Sequence, residues 1–168
     1  MMVKKNLTPP QALNKLASLC SRSEYAESDC RAKLQSWHIA PDDADSIMQS
    51  LIDNHFVDDY RYAHAFTSDK FKFSGWGRQK IIHALRIKRI PQEAITAAIN
   101  EIDDENYSST LRRIMQAKAH SIEGKDYAHA KASLLRFAVS RGFELHLATR
   151  CASEILRDIS HENDDIDY

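Results

Sequence analysis

The stretch GWGRQKIIHALRIKRIPQEAITAAINEI, residues 75–102, decides the fold class of this chain. Its apolar residues fall at Ile81, Ile82 and Leu85, and again at Ile95, Ala98, Ile99 and Ile102. Spacings of three and four put each set on one face of a helix, and no alternation of period two competes with them. Pro91 stands between the two sets and suits a first helical position, where its missing N–H costs nothing. The stretch therefore predicts helix, turn, helix.

The same periodicity extends in both directions. It recurs at Ala12, Leu16 and Leu19; at Ile47 and Leu51; at Leu111, Ile114 and Met115; at Leu134, Leu135 and Ala138; and at Leu147, Cys151 and Ile155. Pro9, Pro10 and Pro41 mark helix starts, and Ser23, Asp58, Ser74 and Asp126 are candidate N-caps. Gly142 suits a left-handed helix terminus. The expected fold is all-α, with about nine helices and no sheet.

The helices repeat. Ala12, Leu34, Ile39 and Leu51 match Ala63, Leu85, Ile90 and Ile102 at a constant offset of 51, and Ser23-Glu24-Tyr25 maps onto Ser74-Gly75-Trp76. An offset of 53 carries Leu85, Ile90, Ala98 and Ile102 onto Ala138, Phe143, Cys151 and Ile155. Three tandem three-helix units, at 9–55, 56–103 and 104–158, are expected to form an elongated, curved array. They lie between a flexible N-terminus at 1–8 and an acidic, disordered tail at 159–168. A monomer is expected, because repeat arrays bury their own faces.

Composition narrows the function classes. Hydrophobic content of 43% against 28% charged residues is that of a globular protein. No apolar run approaches the ~20 residues that span a bilayer, and MMVKKNLTPP lacks the apolar core of a signal peptide. A cytoplasmic protein is expected. Cys20, Cys30 and Cys151 then read as buried reduced thiols.

A net charge of −1 hides an uneven distribution. Residues 70–150 carry a surplus of seven positive charges, whereas the end of the chain, HENDDIDY, is acidic. Residues 70–89 hold seven Lys or Arg and no Asp or Glu. With Ile81, Ile82 and Leu85 facing a core, Arg78, Lys80, Arg86, Lys88 and Arg89 are left to solvent. Lys131, Arg136 and Arg141 form a second basic group in the third unit. A solvated face normally mixes signs, so this one points to an anionic partner. Phe73 and Trp76 are candidates for stacking on bases, although Trp76 aligns with Tyr25 and reads better as core.

Nothing points to an enzyme, a metal or a cofactor. Gly75, Gly77, Gly124 and Gly142 make no phosphate-binding loop. No histidine has another three or four residues away, and Cys20 and Cys30 have no partner at zinc-site spacing.

The segment joining the first two units carries a resemblance. FVDDYRYAHAF, residues 56–66, followed by GWGRQKIIHALRIKRI, residues 75–90, resembles the RecX family of recombinase regulators. LLRFAVSRGFEL, residues 134–145, is similar to the family's third repeat. Read physically, Asp58 caps the fourth helix and Asp59 sits in its first turn beside the positive end of the dipole. Arg61 reaches one of these acids or an acid on an adjacent helix, Tyr62, Ala63 and Phe66 supply a buried stripe, and Gly75 makes a turn. The family usually places Gly before the apolar residue that separates the second and third helices of a unit. Here His38 and Arg89 stand there in the first two units, and Gly142 in the third.

The resemblance implies a non-enzymatic modulator that binds the RecA filament on single-stranded DNA. It implies a position in the filament's helical groove, limited filament growth, and inhibition of strand exchange and of RecA ATP hydrolysis. A module that binds DNA or RNA directly, independent of any recombinase, is the alternative from another class.

Overall fold

A computed structural model describes residues 6–122 and 124–164, with side chains to residue 160. Among the described residues there are nine helices and no strand. They are α1 (Pro9–Cys20), α2 (Glu27–Ser36), α3 (Pro41–Asp53), α4 (Asp59–Lys72), α5 (Arg78–Ile87), α6 (Gln92–Asn100), α7 (Asp104–His120), α8 (Tyr127–Ser140) and α9 (Leu145–Asp164). Residues 1–5 of the N-terminal segment and 165–168 of the acidic tail lie outside the described residues, and α9 takes in 159–164.

Helix starts follow partly from the local sequence. Proline opens α1 and α3, and Asp103 and Asp126 cap α7 and α8 by accepting from the N–H groups of Asn106 and His129. Ser23 and Ser74 are not caps, because the chain runs on to Ala26 and Gly77 before turning helical. The Asp29 carboxylate accepts from the Ala26 N–H at the start of α2.

The chain forms two compact units. One holds the chain through Phe66 together with Leu85–Ala98. Its core gathers Ala12, Leu16, Cys30, Leu34, Ile47, Met48, Leu51 and Val57, with α3 packed on both α1 and α2. The other holds Thr67–Ala84 and the chain from Ile99. There α7, α8 and α9 pack on one another around Tyr107, Leu111, Met115, Leu134, Ala138, Phe143 and Ile155.

The repeat is written in the backbone. The turn between the second and third helix of each trio passes through a left-handed residue: His38 at φ 59°, Arg89 at φ 58° and Gly142 at φ 92°. Each turn closes with the same pair of bonds. Ile39, Ile90 and Phe143 donate to the carbonyls of Leu34, Leu85 and Ala138, each at 3.1 Å. His38, Arg89 and Gly142 donate to Gln35, Arg86 and Val139 at 3.0, 2.9 and 2.9 Å. This is one helix terminus used three times, with its apolar anchor at the following residue. The offsets of 51 and 53 read from side-chain type are the offsets of this turn. Arg89→Gly removes the left-handed cost of a side chain and is expected to raise stability by about 0.5–1 kcal/mol, read from the urea midpoint.

Candidate partner-binding surface

The basic residues divide between the two units, and several are already committed within them. In the first unit Lys88 donates to Asp29 at 2.5 Å, and its carbonyl accepts from Ser28 at 2.6 Å. The bond to Asp29 raises the Lys88 pKa above the ordinary lysine value, so the ammonium is charged but partnered. Arg86 and Arg89 are exposed, and Arg86 donates to Gln92 at 3.2 Å. Between them Ile87 stands 66% exposed. Arg89 and Ile87 border an open groove of about 610 Å³ whose other walls include Glu27, Arg31, Asp59 and Lys88.

The junction motif belongs to the same unit. Asp58 accepts from the N–H groups of Tyr60 and Arg61 at 2.9 and 3.1 Å and so starts α4. Asp59 looks the other way: its carboxylate accepts from the Glu27 N–H at 2.9 Å, at the first turn of α2, and burial raises its pKa. The Arg61 side chain turns to other partners than these two acids. Its Nε donates to Glu24 at 2.6 Å, and its Nη2 donates to the carbonyls of His55 and Phe56 at 3.1 and 3.3 Å. Ala63 is fully buried. The motif thus ties α4 to Glu24 in the α1–α2 connection and to Glu27 at the start of α2.

In the second unit Arg78 is a structural residue. Its guanidinium lies 4.1 Å from the centre of the Tyr107 ring and donates to the Ile102 carbonyl at 2.7 Å and to Asp104 at 2.8 Å. Lys80 lies over the Trp76 ring at 4.5 Å, with Lys70 at 5.4 Å from the same ring. Trp76 is therefore half-buried beneath two ammonium groups, neither a core residue nor an open stacking platform. Phe73, just past the end of α4, is 84% exposed. Arg141 stacks on Phe137 at 5.5 Å and donates to the Ser74 carbonyl at 3.1 Å. Lys131 is half-buried over Tyr127, and Arg136 is exposed.

The α8–α9 turn is seated on the start of α5. Gly77 N–H donates to the Arg141 carbonyl at 2.7 Å and Gln79 N–H to that of Gly142 at 3.0 Å. These bonds take the place of an N-cap side chain. They also bring Lys80 and Arg141, taken from separate stretches of sequence, to one location.

Two features escaped the sequence reading. Tyr107 organises the second unit, accepting from the Arg78 N–H at 3.0 Å and donating to Glu144 at 2.6 Å. Ile87 was readable, since it falls outside the 81, 82, 85 stripe in an otherwise charged turn.

The sequence family described as RecX, second three-helix domain, matches residues 58–99. The regulatory protein RecX of Lactobacillus johnsonii is 22% identical over 163 residues, which cover 97% of this chain and 59% of that protein. The RecX of Acinetobacter baylyi is 25% identical over 82% of this chain and 84% of its own length. That of Clostridium botulinum is 29% identical over 73% of this chain and 58% of its own length. The chain thus spans less than two thirds of the first and third of these relatives. The crystal structure of RecX from Lactobacillus salivarius superposes with a TM-score of 0.79 at 18% identity, over 88% of this chain and 96% of that one. A second RecX crystal structure gives 0.80 at 16% identity, over 86% of this chain and 73% of that one.

Proposed function

The chain belongs to the RecX family of regulatory proteins, and on that premise we propose that it binds the RecA recombinase filament on single-stranded DNA and restrains it. The protein acts in the cytoplasm as a monomer and without catalysis of its own. It occupies the filament's helical groove, where successive three-helix units meet successive protomers and many weak contacts add through effective concentration. Filament growth, strand exchange and RecA ATP hydrolysis are inhibited together.

One observation carries this reading. After internal pairing is discounted, exposed cations remain beside exposed apolar side chains: Arg86 and Arg89 flank Ile87, and Lys72 adjoins Phe73. Phosphates alone would select charge. A filament of protein on DNA supplies an anionic surface together with apolar groups. Arg86 and Arg89 are the contact residues this favours, joined by exposed Arg136 and half-buried Lys80 and Lys131, with Lys88, Arg78 and Arg141 contributing field from positions held by their own unit.

The test is binding to RecA-coated and to bare oligonucleotide at physiological salt. The coated strand is expected to bind more tightly. The double charge reversal Arg86→Glu, Arg89→Glu is expected to weaken that binding about tenfold while leaving helicity intact. The exposure of Phe73 favours a second reading, a direct single-strand contact. Equal binding to bare DNA, falling steeply with salt and lost in Phe73→Ala, would select it.

A further inference from the structure

Cys20 and Cys30 lie ten residues apart, and their sulfurs are 3.9 Å from each other. Cys20 is the last residue of α1 and Cys30 belongs to α2, so the two thiols meet across the α1–α2 connection. At this separation the sulfurs are in contact, and they must close by about 2 Å to reach the bond length of about 2.0 Å. The two sites differ in access. Cys20 is partly exposed, whereas Cys30 is fully buried. Neither thiol belongs to the basic surface.

The geometry points to Cys20 and Cys30 as a dithiol that a peroxide converts to an intramolecular disulfide. The Cys20 thiolate attacks the peroxide O–O bond, giving a sulfenic acid and releasing the alcohol, or water from hydrogen peroxide. The Cys30 thiolate then attacks the Cys20 sulfur, the S–O bond breaks, and the departing hydroxide takes up a proton as water. Two thiols are oxidised and one peroxide is reduced. Burial raises both thiol pKa values, with a smaller opposing effect on Cys20 from its hydrogen bond with Cys30 and from Arg61 and Lys33, so the reaction is slow at neutral pH and faster in alkali. The bond would close a short ring over residues 20–30. That ring holds Glu24, the partner of Arg61, and Tyr25, over which Lys33 lies at 5.4 Å. Oxidation therefore fixes the connection that the junction motif grips.

The experiment treats the reduced full-length chain with hydrogen peroxide and follows intact mass, thiol alkylation and melting. The expected product has lost two hydrogens, has Cys20 and Cys30 joined in its peptide map, and keeps Cys151 open to alkylation after unfolding. Its melting temperature is expected to rise by about 5–10 °C and to return on reduction. Cys20→Ser, at the more exposed position, is expected to remove the product, and Cys30→Ala does so at the buried one. Oxygen added at Cys20 while Cys30 remains alkylatable would overturn the proposal, as would a disulfide through Cys151 between two chains.

Discussion

Gly142→Ala is expected to lower the melting temperature by about 10 °C, a loss of about 4 kcal/mol. Two costs combine. Gly142 sits at φ 92°, where any side chain is strained, and an added Cβ would lie 2.3 Å from the Lys80 Cβ and 2.5 Å from its backbone nitrogen. Backbone cannot yield there without lifting the α8–α9 turn off α5 and breaking the bonds from Gly77 and Gln79. Two companion variants separate the costs. Gly77→Ala meets the same crowding from the other side, with the Gly142 carbonyl 2.4 Å away, and is expected to cost nearly as much. Gly124→Ala has a left-handed φ of 85° but nothing within 4 Å, so it carries the conformational cost alone, about 1 kcal/mol. A Gly142→Ala protein no less stable than Gly124→Ala would mean that the turn does not sit on α5.

Tyr107→Ala is expected to be of similar size, about 3–5 kcal/mol. The residue is 1% exposed, and its ring lies against Phe143 at 4.9 Å and Phe71 at 6.0 Å, with the Arg78 guanidinium over its face. Truncation removes all three contacts. Tyr107→Phe keeps the ring and deletes the hydroxyl, leaving the Arg78 N–H without its acceptor and Glu144 without its donor, at about 1–3 kcal/mol. Burial raises the Tyr107 pKa, so the folded state holds its proton more tightly than the unfolded one. That contribution is complete below about pH 10 and declines as pH rises further. Urea midpoints above and below pH 10 are therefore expected to converge between wild type and Tyr107→Phe as the pH climbs.

The helices were legible because each buries one stripe, and stripes leave a period in the sequence. The repeat was legible for the same reason, and the His38, Arg89 and Gly142 turns show that the aligned positions share a conformation as well as a residue type. Glycine was not required at the first two, since the bonds to Leu34 and Leu85 hold the left-handed residue in place. Solvent exposure was harder to read than the helices themselves. Arg78 and Lys88 stand at outward positions of the helical pattern, yet Arg78 is tied to Tyr107, 29 residues on, and Lys88 to Asp29, 59 residues back. No local pattern encodes such pairings. The expected caps at Ser23 and Ser74 fail for a related reason: the first N–H of α2 goes to Asp59, and α5 takes its first acceptors from the α8–α9 turn, both distant segments. Tyr107 is not among the positions matched at offsets of 51 and 53, so alignment gave it no counterpart.

We propose that this chain restrains RecA on single-stranded DNA through its exposed basic and apolar groups. The most direct measurement is RecA ATP hydrolysis on single-stranded DNA at physiological salt, with this protein titrated in. Inhibition at less than one copy per RecA protomer, relieved by Arg86→Glu, Arg89→Glu, is the expected result. Undiminished hydrolysis at an excess of a folded protein that still binds bare DNA would contradict the account.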